Sequence, residues 1–216
     1  MYTLYYAPGA ASLAVHWMLI ELGVPFEANL VDFSSDEQKS PRYLALNPEG
    51  KVPTLIVDGK PQGESTALLM LLAERHPEAG FAPAVGSADR AAYLELMIVL
   101  ANALLPAFRA WFYPQDFGGP DDADRVRENA RRRIEQVFDR LDDRLADGRE
   151  YMVGSGMSAA DFLATMLARW SRNMPRPAQT WRNLDAYLRR MKQRESLREV
   201  HRREGLTDWI ETAEAN

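Results

Sequence analysis

Gly50 to Ala67 reads GKVPTLIVDGKPQGESTA, and its punctuation decides the fold. Val52 to Val57 is a short apolar run rich in β-branched residues, which argues for a buried strand. Asp58-Gly59 marks a tight turn, and Lys60-Pro61 leads out of it. Glu64-Ser65-Thr66 then opens an apolar segment, Ala67 to Ala73, that reads as a helix with Ser65 at or near its start. Pro53 removes a backbone donor at the head of the strand and is a candidate cis proline of a tight corner. Such a corner leaves the N–H and C=O of Val52 free to pair with an extended, peptide-like ligand. Glu64 suits a ligand ammonium, while Ser65 and the free N–H groups of the helix start suit a ligand carboxylate. Taken singly, Pro53 is a strand-edge proline and Ser65 a helix cap. In this order and spacing, they read as a site for the zwitterionic end of an amino acid.

The chain has 216 residues, 46% apolar and 26% charged, with net charge −5. That length allows one large domain or two small ones with a sizeable core. The acidic balance gives no electrostatic case for nucleic acid or an acidic membrane surface. Arg125 to Arg149 is interleaved with Asp and Glu at helical spacing and reads as a solvated helix face. Arg182 to Arg203 has a basic surplus but only Tyr187 to stack on bases. There is no cysteine, which excludes disulfides and any thiol chemistry borne by the protein. His16, His76 and His201 lack ligand spacing, so no metal is expected. No unbroken apolar run reaches the roughly 18 residues needed to span a membrane. The N-terminus lacks a basic n-region, and its apolar segment carries His16 and Glu21. A cytoplasmic protein without signal peptide is therefore expected.

Along the chain, Tyr2 to Tyr6 is a strand candidate, Ser12 to Leu22 a helix stopped by Gly23, and Phe26 to Asp32 a second strand. Their combined length suits a parallel crossover. With the stretch from Gly50, the order becomes β-α-β then β-β-α, a mixed sheet. Phe81 to Gly86 is a Pro/Gly-bearing linker. It divides the chain into residues 1–80 and an all-helical domain over 87–216. Ser87 caps a long helix to about Tyr113 that Pro106 must kink or break. A second long helix opens at Asp121 and Asp124. Ser158-Ala-Ala-Asp161 is a capping box: Ser158 should accept from the Asp161 N–H, and Asp161 should reach back to the Ser158 N–H. Two further helices follow, over Thr180 to Met191 and Ser196 to Glu204. The tail, Glu211 to Asn216, is expected to fray.

VPTL followed by ES-T-A resembles the glutathione-binding half of glutathione S-transferases, and MSAADFLATMLARW resembles the capping-box helix of their second domain. The resemblance implies a thioredoxin-like N-terminal domain and an all-helical C-terminal domain. The opening, TLYYAPGAASLAVHWMLIE, is similar to the bacterial beta class, whose loop after the first strand reads Pro-Gly-Ala-Cys-Ser. Here that loop is Pro8-Gly9-Ala10-Ala11-Ser12, so the class cysteine is Ala11 and mixed-disulfide exchange is lost. Conjugation needs only the ligand's own thiolate. A free thiol, with pKa about 8.5, is little ionised at neutral pH and must be helped. Ser12, at the start of the first helix, is a candidate sulfur hydrogen-bond donor or simply an N-cap. Tyr6, at the end of the first strand, is the rival, with a structural role as its plainer reading.

The resemblance further implies glutathione contacts from Val52, Pro53, Glu64, Ser65, Lys51 and Gln38 or Lys39. The beta-class His-Lys pair falls on Leu105-Pro106 here, with Asn102 or Arg109 as the candidate stand-ins by helical spacing. Phe108, Arg109, Phe112 and Trp170, with Trp111 and Tyr113, are candidates for a second-substrate pocket between the domains. The implied activity is transfer of glutathione, as co-substrate, to a hydrophobic or aromatic electrophile by a homodimer. The Leu68 to Leu72 run and the Tyr93 to Leu100 face are interface candidates. Two other readings remain: a non-catalytic module on the same fold, and a glutathione-dependent isomerase or dehalogenase.

Overall fold

Tyr2–Tyr6 forms strand β1, Leu13–Leu22 helix α1 and Phe26–Leu30 strand β2. β1 and β2 pair in parallel, Tyr2 opposite Phe26 and Tyr6 opposite Leu30, so the expected crossover is present. Helix α2, Pro41–Leu44, precedes strands β3, Thr54–Val57, and β4, Lys60–Gln62, and helix α3, Ser65–Arg75. β3 runs antiparallel on the other side of β1, with Leu4 opposite Leu55, which gives the mixed order β2-β1-β3-β4. β3 starts two residues later than the apolar run suggested, because Pro53 has no N–H to give the ladder. These coordinates are a computed structural model that describes residues 1–210. The tail from Glu211, expected to fray, lies outside the described residues.

Alternation along β1 sends successive side chains to opposite faces of the sheet. Leu4 and its neighbour Leu55 are fully buried. Tyr5 turns the other way and meets the Tyr43 ring of α2 edge-on, with centroids 5.9 Å apart. α1 is buried on every side from Leu13 to Leu19, the pattern of a helix with neighbours all round. It contacts α3 and also helix α9, Glu195–Arg203, near the end of the chain. Trp17 Nε1 donates to Ser196 Oγ at 2.8 Å, and Glu21 accepts from Arg194 and Ser196.

The remaining helices are α4, Arg90–Val99, α5, Leu105–Phe112, α6, Ala123–Arg144, α7, Ala159–Trp170, and α8, Arg182–Lys192. α4 and α5 are one continuous rod joined by a π-helical turn, Leu100–Leu104. Pro106 therefore neither breaks the rod nor ends it. The missing proline N–H is absorbed by a widened turn, in which the Leu105 N–H bonds to the Leu100 carbonyl. Arg90–Phe112 is thus 23 helical residues with a window of mean hydropathy 1.8. By length and composition alone it reaches a membrane-spanning size, which a search for unbroken apolar runs did not reveal. Tyr93, Met97, Leu100, Leu104 and Phe108 are buried along it.

At the start of α7, Asp161 Oδ2 accepts from the Ser158 N–H at 2.8 Å, as the capping box requires. The reciprocal bond differs from expectation. The Asp161 N–H goes to the Ser158 backbone carbonyl, and Ser158 Oγ donates to Asp161 Oδ2 at 2.9 Å. Asp161 Oδ1 also accepts from the Met152 N–H at 2.9 Å and Tyr187 Oη at 3.1 Å. Asp161 is fully buried, and burial pushes its carboxyl pKa up against the pull of these donors.

By their contacts the residues form two units, Met1–Gly80 with the segment from Met191 onward, and Phe81–Arg190. The first break between the units falls between Gly80 and Phe81, and the segment containing α9 clusters with the sheet.

Candidate functional site

The Val52-Pro53 peptide is cis. Two side chains fix the carbonyl just before this corner. Tyr43 Oη donates to the Lys51 carbonyl at 2.7 Å, and Asn47 Nδ2 donates to it at 2.8 Å. Both also reach Thr54 Oγ1, at 3.0 and 3.2 Å. Burial raises the Tyr43 pKa, so its hydroxyl keeps the proton that it donates. Gly50 precedes the corner with φ +60, and a Cβ there would lie 3.0 Å from the Gln38 carbonyl oxygen. Only glycine fits both the dihedral and the approach. The Val52 side chain is buried with Ala7, Val31 and Tyr43. Neither its N–H nor its C=O has a hydrogen-bond partner among the described residues.

Glu64 has φ 63 and ψ 99, a left-handed conformation rare for a residue with a Cβ. It immediately precedes α3. Leu68 is the first N–H of that helix to find a carbonyl, that of Glu64. The N–H groups of Ser65, Thr66 and Ala67 remain open, as the first turn of any helix leaves them. Ser65 is only 3% exposed, yet its hydroxyl forms no bond among the described residues, and the Glu64 carboxylate has none either. Lys51 and Gln38 are less committed to this place. Lys51 Nζ pairs with Glu49 at 3.3 Å on the surface, and Gln38 Nε2 donates to Asp36 at 3.2 Å. Gln38 Oε1 is buried without a partner among the described residues.

The loop between β1 and α1 departs from the sequence reading at one residue. Ser12 was expected to direct its hydroxyl toward a bound sulfur or to cap α1. It is fully buried and makes no cap bond. Its Oγ donates to the Ala7 carbonyl and accepts from the Ala7 N–H, both at 3.2 Å. The turn from Ala7 to Ser12 closes on itself, so the hydroxyl is used inside the loop. Tyr6 is half-buried, and its hydroxyl has no partner among the described residues. Burial, and then the charge of Glu204, raise its pKa, so it stays a donor. The Ala11 N–H likewise has no partner among the described residues.

Residues 10–75 match the family profile described as glutathione S-transferase, N-terminal domain, and residues 124–211 match the corresponding C-terminal domain. A curated relative, glutathione S-transferase GST-4.5 of Xanthomonas campestris pv. campestris, is 34% identical over 190 residues, covering 87% of this chain and 91% of that one. The chain belongs to the glutathione S-transferase family. Among solved structures, a sphingomonad glutathione S-transferase complexed with glutathione superposes with TM-score 0.82 at 32% identity, covering 94% of this chain and 99% of that one. A bacterial beta-class glutathione S-transferase of Sphingomonas chungbukensis gives 0.81, also at 32% identity and the same coverage. The thioredoxin-like and all-helical domains expected from the sequence are those of the family.

This glutathione S-transferase carries alanine at position 11 of the loop before α1, and the chain has no cysteine. In its helical unit, Phe108, Phe112 and Trp170 form one aromatic cluster, with centroids 5.6 to 6.0 Å apart. Phe108 is fully buried and belongs to the core, while Phe112 is 44% exposed. Arg109 is held away from a free role by Asp116, and its guanidinium lies 4.0 Å above the Tyr113 ring. Sequence reasoning passed over Tyr43, Asn47 and Thr54, whose hydroxyl and amide groups carry no motif. It also passed over Glu204 and His16, which meet across 188 residues. No local pattern marks such a pair.

Proposed function

We propose that this chain binds glutathione and transfers its sulfur to a hydrophobic or aromatic electrophile. The observation that carries this reading is the set of unpartnered groups at the corner and at the start of α3. The Val52 N–H and C=O, the Glu64 carboxylate, the Ser65 hydroxyl and three helix N–H groups match the polar groups of an extended γ-glutamyl peptide. Lys51 and Gln38 are the candidates for the far carboxylate.

The thiol would lie at the loop before α1. There the unbonded Ala11 N–H, the positive end of the helix and the protonated Tyr6 hydroxyl favour a thiolate over a thiol. The protein's part is then thiolate stabilisation and positioning, with no covalent intermediate on the chain. Phe112 and Trp170 offer aromatic surface for the electrophile. Leu94 and the 52% exposed Ile98 of α4 leave an apolar face that suits a second copy. A cytoplasmic homodimer with a role in detoxification is the matching biological setting.

The test is calorimetry with glutathione on the native chain and on Ser65→Ala. Binding that the substitution weakens by about tenfold supports the site. No binding at millimolar glutathione overturns it. The inward hydroxyl of Ser12 and the alanine at position 11 favour a second reading, a glutathione-binding module without turnover. Turnover of a chromogenic aryl halide by the native chain separates the two.

A further inference from the structure

Behind the Pro8–Ser12 loop lies a buried acid that the proposed reaction does not use. Glu204 follows directly after α9, and its side chain is completely shielded from solvent. Oε2 accepts the Gly9 N–H at 2.8 Å, and Oε1 meets His16 Nδ1 at 2.8 Å. One carboxylate from the far end of the chain therefore ties the loop before α1 to the body of α1. The His16 ring is fixed in turn, 4.9 Å from the Tyr6 ring and 5.5 Å from the Phe26 ring, and its Nε2 has no partner among the described residues. Arg203, the neighbouring cation, lies over the outer side of this group, 5.8 Å from the Phe26 centroid.

A buried carboxylate is tolerated only where donors satisfy it. A purely packing role at this place is served as well by an apolar side chain of the same volume. What the carboxylate adds is direction. Glu204 takes up the Gly9 N–H, and the Ala7 carbonyl takes up the Ala10 N–H. Ala11 is then the first residue of the loop whose N–H is free. We propose that Glu204 is a positioning residue for the thiol site: by clamping Gly9 to His16 it aims the free Ala11 N–H at the sulfur of bound glutathione, without touching the ligand. The proposal rests on reading this loop as the thiol site.

Two measurements separate that dependence. In the ligand-free protein, hydrogen exchange of the Gly9 to Ser12 amides is compared between the native chain, Glu204→Ala and Glu204→Gln. Then the ionisation of bound glutathione is followed by thiolate ultraviolet absorbance against pH, together with kcat and KM for an aryl halide. Glu204→Ala should speed exchange in this loop while amides of β3 stay protected. It should move the thiol midpoint toward that of free glutathione and lower kcat by about ten- to a hundredfold, with KM for glutathione little changed. Glu204→Gln keeps an acceptor for Gly9 and can donate to the other tautomer of His16, so it should restore most of both readouts. It also serves if Glu204→Ala does not fold. Unchanged loop exchange in both variants overturns the clamp. Faster exchange with an unchanged thiol midpoint and kcat overturns the positioning role. A native chain that fails to ionise glutathione refutes the thiol site itself, and with it the positioning role, whereas a clamp seen by exchange would survive as a structural feature.

Discussion

Tyr43 Oη lies 2.7 Å from the Lys51 carbonyl oxygen, so a hydroxyl from α2 holds the peptide that leads into the Val52-Pro53 corner. The backbone of Val52 is therefore set from behind. Tyr43→Phe leaves Asn47 as the carbonyl's remaining donor and should cost about 1 kcal/mol of stability. Glutathione affinity should fall severalfold in parallel. Urea denaturation and calorimetry on the same preparation check both.

Glu64 holds its left-handed conformation at the expense of stability. Glu64→Gly removes the Cβ that makes φ 63 costly, and should stabilise the chain by about 1 kcal/mol. It also deletes the carboxylate proposed to meet the ligand ammonium, so glutathione binding should weaken by about tenfold or more. A higher melting temperature with poorer binding is the expected outcome. A variant that is less stable would show that the side chain supports the turn.

Ser12→Ala distinguishes a buried loop tie from a catalytic donor. The substitution removes two bonds to Ala7 at a fully buried position. It should cost about 1–2 kcal/mol of stability. Turnover per folded molecule should stay within a small factor of native. A large loss of kcat without loss of stability would return the hydroxyl to the sulfur.

Asp161→Ala leaves the N–H groups of Met152 and Ser158 and the hydroxyl of Ser158 without their carboxylate acceptor, while Tyr187 Oη keeps Thr165 Oγ1 and the residue 161 carbonyl. Three donors stranded in a dry place make about 3–5 kcal/mol the expected loss, measured by denaturation.

Asp147 offers a clean titration. The Arg149 guanidinium beside it pulls its carboxyl pKa from 3.8 down to about 2. A depressed acid stabilises the fold above its ordinary pKa, and the contribution disappears as pH falls from 3.8 through about 2. The pair is exposed, so the stability effect is small. A carboxyl-detected NMR titration should find the low midpoint in the native chain and a return toward 3.8 in Arg149→Ala.

The local parts of the fold were legible. β1 follows from its aromatic and β-branched content and α3 from the turn chemistry before it, each within a few residues. The groups of Glu64 and Ser65 announce themselves by adjacency. Ser12 sits at the N-cap position, but its hydroxyl serves the turn before the helix, a choice that depends on how Ala7 folds back. The π-helical turn was missed because Pro106 signals a lost N–H but not how the backbone accommodates it. Ser158 and Asp161 gave the right pair with one bond rerouted to the main chain. The Glu204–Gly9 bond spans 195 residues, and nothing near either residue points to the other.

That last span has a consequence for how the protein is made. The sheet unit is assembled from the first 80 residues and from a segment that starts at Met191. A ribosome releases the chain from its beginning, so the Gly9 loop must wait, without its buried acid, until Glu204 has emerged. The inserted helical unit, continuous from Phe81 to Arg190, is free to finish first. The order of maturation thus runs from the helical unit outward, and a nascent chain arrested before Glu204 should hold the helices of that unit while its Gly9 loop is still unset.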